Sequence, residues 1–126
     1  MSSIRRLGDG YEPHVDEWPD RLVYSIPVDS SFVSSAFSFE ISKDDLDVLL
    51  TDPYRRAALE VIAHAVLQRS MLRGGVRVMQ EAFDALIRDV LHSPQAVFEA
   101  LIARASHDHN MVVSLYIEQA MAGRAK

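Results

Sequence analysis

The segment PYRRAALEVIAHAVLQRSMLR, residues 53 to 73, restricts the fold more than any other part of the chain. Wound as a helix at about 100° per residue, it spreads Val61, Leu72, Ala65, Ala58, Ile62, Val66, Leu59 and Ala63 over more than half of its circumference. A surface helix carries a narrower apolar stripe, so this helix is predicted to be central, with other elements packed on most of its sides. Asp52 and Pro53 supply an N-cap and a first-turn proline, and Gly74-Gly75 a left-handed stop. Each fully buried Leu, Ile or Val contributes roughly 1.5–3 kcal/mol, so the segment is expected to dominate stability.

Two stretches ahead of it read as extended chain. RLVYSIPV puts Leu22, Tyr24, Ile26 and Val28 on one side, and AFSFEIS does the same with Phe37, Phe39 and Ile41. Pro27 cannot donate to a ladder, which predicts an edge strand or the last residues of one. Further along, Ser42 and Asp45 form a capping-box pattern ahead of Leu46, Leu49 and Leu50. Phe83, Leu86, Ile87, Val90 and Leu91 follow the spacing of a half-buried helix, and Ser93-Pro94 starts another. Residues 94 to 122 read as two helices with a break near 106 to 110. The expectation is a single domain over 1–126, mainly α: a compact bundle of about four to five helices around the 53–73 helix. An N-terminal two-stranded antiparallel hairpin, 21–28 with 36–41, packs on the bundle. Residues 1–20, with two glycines, two prolines and five acids, read as an irregular acidic arm pinned by Tyr11 and Trp18.

Composition removes several chemistries. A hydrophobic fraction of 48% in 126 residues is enough for one core without staples. With no cysteine there is no disulfide, thiolate nucleophile or zinc ribbon, and a cytoplasmic protein is expected. Arg5-Arg6 is followed by LGDGYEPHVDEWPD and not by an apolar run, so neither an export signal nor a membrane span is predicted. A net charge of −5 argues against a nucleic-acid partner, because a phosphate backbone repels an acidic surface. The phosphate-cradling patterns GxxxxGK[ST] and GxGxxG are absent.

The polar residues leave few constellations. Arg56, Glu60, His64 and Gln68 recur every four residues on the central helix. They read first as its solvated edge, held by i, i+4 pairs, and second as a candidate groove in which Glu60 and His64 handle a proton or a ligand. His107, Asp108 and His109 suggest metal ligands, but neighbours on a helix do not share a face, so no metal and no cofactor is predicted. A histidine, His64 or His92, followed by the His107-Asp108 doublet resembles the HD-domain phosphohydrolases over three residues. That family carries a further Asp downstream; here Glu118 is the only acid after Asp108. Arg69, Arg73 and Arg77 flank the di-glycine and read as helix capping before they read as an anion site.

The acids gather in two stretches. Asp9, Glu12, Asp16, Glu17 and Asp20 stand without a Lys or Arg among them, and Glu40, Asp44, Asp45, Asp47 and Asp52 are diluted only by Lys43. Clustered carboxylates steer a basic partner and an aromatic residue anchors it. Glu12, Asp16, Glu17, Trp18, Asp20, Asp44, Asp45 and Asp47 are therefore the expected partner-binding residues. The expected function is a small protein-binding module, of the profile shared by bacterial immunity proteins and antitoxins that neutralise basic proteins, and more a binding protein than an enzyme. The alternative is a small metal-dependent hydrolase or ligand-binding protein using Glu60, His64 and the His107/His109 region. The Met111–Met121 segment is apolar enough for either core or a homodimer seam.

Overall fold

The computed structural model describes residues 2–8, 12–30, 33–72 and 75–124. Four strands come first: β1 (Ile4–Leu7), β2 (His14–Trp18), β3 (Arg21–Ser30) and β4 (Val33–Ile41). They pair in chain order as one antiparallel sheet. Helices α1 (Lys43–Thr51), α2 (Pro53–Ser70), α3 (Gln80–Leu91), α4 (Gln95–Asp108) and α5 (Val113–Arg124) follow. The fold is α+β, which corrects the expected mainly-α bundle with a two-stranded hairpin. The two extended stretches are β3 and β4, but β1 and β2 extend the sheet through residues that read as an irregular arm. Those strands are highly charged, and their charges pair across strands: Arg5 Nε lies 2.7 Å from Asp16 Oδ1, and Arg6 Nε 3.4 Å from Glu17 Oε1.

Pro27 is not on an edge strand, since β3 lies between β2 and β4. Glu40 exchanges both backbone groups with the side-chain amide of Gln80, at 2.9 and 2.8 Å, so its N–H and C=O face away from β3. Antiparallel alternation then turns the backbone of Leu22, Tyr24, Ile26 and Val28 toward β4, and that of Val23, Ser25 and Pro27 toward β2. Pairing with β2 ends at His14↔Ser25, so the missing N–H of Pro27 falls just past the end of β2. The same alternation gives the sheet a dry face of Val15, Tyr24, Ile26, Val28, Phe39 and Ile41 and a wet face with Asp16, Ser25 and Ser38.

The helices cover the dry face. At the start of α1, Asp45 N–H donates to Ser42 Oγ at 3.1 Å and Ser42 N–H to Asp45 Oδ2 at 2.9 Å, a complete capping box. Asp52 Oδ1 accepts from Arg55 N–H at 3.1 Å and caps α2, with Pro53 in its first turn. Helix α2 ends at Ser70, short of the predicted Arg73; Arg73 and Gly74 lie outside the described residues. It packs against β3, α1, α3 and α5, and buries Ala57, Ala58, Leu59, Ile62, Ala63 and Leu67. From α3, Phe83 stacks on Phe39 with centroids 4.1 Å apart and on Tyr24 at 5.8 Å, fastening the helices to the sheet. Helices α4 and α5 are separate. Asn110 holds φ 51°, and Met111 N–H reaches Ser106 O at 3.0 Å while Asn110 N–H reaches His107 O at 3.3 Å, a Schellman stop. Ser106 Oγ then accepts from Val113 N–H at 3.1 Å and caps α5.

Candidate functional site

The first half of the polar row of α2 is largely withdrawn from water, while His64 and Gln68 are partly exposed. Arg56 and Glu60 side chains are only 17% and 11% exposed. Arg124, at the end of α5, donates to both oxygens of the Glu60 carboxylate. Arg56 Nε stands 3.5 Å from Glu60, and Arg56 and Arg124 each reach Glu12 at 3.9 Å. Alternating charges therefore link the segment just before β2, the first half of α2 and the end of α5. Burial pushes the Glu60 carboxyl above its ordinary value, outweighing the hydrogen bonds and charge of Arg124 and the charge of Arg56. The Tyr24 hydroxyl, buried against this cluster with no hydrogen-bond partner among the described residues, is pushed well above its ordinary value, first by burial and then by the charge of Glu60. A carboxylate held by two guanidinium groups is a fastening; its lone pairs are occupied, which leaves it poorly placed as a general base.

Beyond Glu60 the row forms the floor of a cleft of about 600 Å³. Glu60, His64 and Gln68 line it from α2, with Ile26 and Pro27 from β3 on one side and Tyr116 from α5 on the other. His109 and Asn110, from the α4–α5 turn, close one end and border an adjoining cavity of about 520 Å³. Gln68 Nε2 donates to Asp29 O at 2.7 Å, tying α2 to the end of β3. Arg56 lies outside this cleft, on a separate cavity with Glu12 and Arg124. His107 is exposed and does not line the cleft. Among the described residues no group of three His, Cys, Asp or Glu side chains is close enough to hold a metal ion. Arg69 Nη1 lies 3.5 Å from Asp108 O, and Arg73 lies outside the described residues.

The expected partner-binding residues divide. Glu17, Trp18, Asp20 and Asp47 border one cavity of about 510 Å³ at the end of the sheet, together with Glu40. Arg6, Arg21 and Lys43 share its rim. Asp44 is exposed in the first turn of α1. The other three are engaged within the fold. Asp16 is bonded to Arg5 on the wet face of the sheet. Glu12 faces Arg56 and Arg124. Asp45 is 9% exposed, committed to the capping box and to His92, whose Nε2 lies 2.6 Å from Asp45 Oδ1. Asp9 and Tyr11 lie outside the described residues.

Sequence reasoning missed Arg124 and Tyr24. Arg124 is 64 residues from Glu60, and its position beside that carboxylate follows from how α5 packs on α2. Tyr24 follows the strand alternation like any core residue, and nothing local marks its hydroxyl as facing charge. No helix of the described residues is long and apolar enough to cross a membrane. Comparison with protein-family models, with curated proteins and with solved structures gives no match, so the chemistry of these surfaces alone carries the functional reading.

Proposed function

We propose that this chain is a small cytoplasmic protein-binding module, of the immunity-protein or antitoxin kind, that takes a basic partner on the acidic end of its sheet. One observation carries the reading: acids from two separate stretches, Glu17 and Asp20 around the β2–β3 turn and Glu40 and Asp47 around the β4–α1 junction, border a single cavity with Trp18. With Arg6, Arg21 and Lys43 on the same rim, the four acids leave a net charge of only −1, so the surface offers a pattern of alternating charge around the one tryptophan, which selects a partner by the placement of its cations. The three cations on the same rim set register, since a partner has to match positive and negative positions together. Co-expression with the products of the adjacent genes tests this. A basic protein that co-purifies at low salt, is lost at high salt, and is lost when Asp20→Lys and Asp47→Lys are combined is the expected result. A complex indifferent to both salt and charge reversal overturns it.

A second reading, a small-ligand-binding protein, is favoured by the cleft over α2. Its volume of about 600 Å³ falls within the range of small-molecule sites, and Glu60, His64, Gln68 and His109 gather around it. Metal analysis of the purified protein and a thermal-shift screen of polar metabolites separate the two readings. Stoichiometric zinc, manganese or iron, or a metabolite whose stabilisation disappears in His64→Ala, supports the second.

A further inference from the structure

The two edges of the sheet are unlike. Strand β1 has four residues, carries Arg5 and Arg6, and is irregular in register between Arg5 and Leu7. Short length, charge and a bulge are the usual devices that stop an edge from recruiting another strand. Strand β4 has nine residues, and from Val33 to Phe39 it contains neither a charged residue nor a proline. Its bonds to β3 run through Ser35, Phe37, Phe39 and Ile41, because the backbone of Glu40 faces the other way. Ser34, Ala36 and Ser38 therefore present N–H and C=O groups outward. Among the described residues, Gln80 occupies that edge at Glu40 only, and Ala36 and Ser38 are exposed.

We propose that this edge pairs with the same edge of a second copy of the chain, β4 to β4 about a two-fold axis, so that two sheets become one. The occupant follows from self-complementarity. An antiparallel two-fold centred on Ala36 sets Ala36 opposite Ala36 and Ser38 opposite Ser34, so every outward group left free by Gln80 finds a partner. The small side chain of Ala36 allows close approach at the axis. The nearest acid on the strand, Glu40, ends up about 27 Å from its symmetry mate at roughly 3.4 Å per residue, so the pairing brings no like charges together. Val76 and Met79, 83% and 60% exposed, are apolar surface in the segment leading into Gln80, whose side chain is bonded to this edge at Glu40.

Light scattering and sedimentation of the full chain over a range of concentrations test the pairing, with Ala36→Lys and Ala36→Pro. Lysine sets two cations face to face across the axis, and proline removes one outward N–H while leaving the bonds to β3. The unaltered protein is expected to be a dimer. Ala36→Lys is expected to be a monomer with the same circular dichroism, as is Ala36→Pro where it folds, while Leu115→Glu, on exposed α5, stays dimeric. Amide exchange at Ala36 and Ser38 should slow roughly tenfold or more between dilute and concentrated protein. A monomer at all concentrations, a dimer that survives Ala36→Lys, or exchange at these amides that is independent of concentration overturns the proposal.

Discussion

Asp45 uses both carboxylate oxygens inside the fold: Oδ2 accepts from the backbone of Ser42 at the start of α1, and Oδ1 lies 2.6 Å from His92 at the end of α3. Asp45→Ala removes both contacts and leaves the His92 nitrogen without that partner, at an expected cost of about 1–3 kcal/mol in urea unfolding. Asp44→Ala, one residue away and exposed, is expected to change stability by no more than about 0.5 kcal/mol. A reversed order in these two variants would contradict the structural role of Asp45. The half of that role that depends on Ser42, three positions earlier, was legible in the sequence, as was the Asp52-Pro53 start of α2. The half that depends on His92, 47 residues on, was not, and Asp45 read as one acid among others. Glu60 repeats the lesson. Its neighbours in the polar row were visible, but the guanidinium that binds it comes from α5, so a buried ion cluster passed for a solvated edge.

Among the elements, legibility followed how much of each element's reason for existing is local. The periodic apolar spacing of α3, and the alternation in β3 and β4, identified those segments because their own side chains carry the pattern. Strand β2 has one fully buried apolar residue, Val15, in five positions, and β1 has Leu7 at its end. Neither could be seen as a strand without the partner whose charges and hydrogen bonds complete it, and so the sheet was read as half its true width. The α4–α5 break was visible because SHDHN interrupts an apolar run. Its geometry makes a prediction at this scale. Asn110 is the only non-glycine residue of positive φ among those described, and it occupies the position where a helix stop favours glycine. Asn110→Gly is expected to be neutral or slightly stabilising, whereas Asn110→Val should cost about 1–2 kcal/mol. Ser106→Ala, which takes the cap from Val113, should cost about 1 kcal/mol. Thermal unfolding monitored by circular dichroism ranks the three, and a tolerated valine would mean that the turn is free to adopt another conformation.

At the scale of the whole molecule, the Glu12–Arg124–Glu60–Arg56 cluster joins the sheet, α2 and the last turn of α5 through charges taken largely out of water. Such a cluster specifies which surfaces meet more than it adds to stability, because desolvation offsets much of the attraction. That balance has a pH signature. Burial raises the Glu60 carboxyl above its ordinary value of 4.5, so between the two values the folded chain holds this proton more tightly than the unfolded chain does. The contribution is then fully present below about 4.5 and is lost as pH rises through the folded value. The stability of the unaltered protein minus that of Glu60→Gln should accordingly fall as pH rises across this window, with all other carboxylates cancelling in the difference. Arg124→Ala removes the group that most opposes the upward shift. It should steepen the fall, and at neutral pH it should cost about 3–5 kcal/mol, the price of leaving a buried carboxylate half-partnered. Urea unfolding of the three proteins from pH 4 to pH 8 measures both slopes. A flat difference for Glu60→Gln, or an Arg124→Ala protein whose stability relative to Glu60→Gln falls no more steeply than that of the unaltered protein, would show that this carboxylate is solvated and that α5 is held to α2 by apolar contact alone.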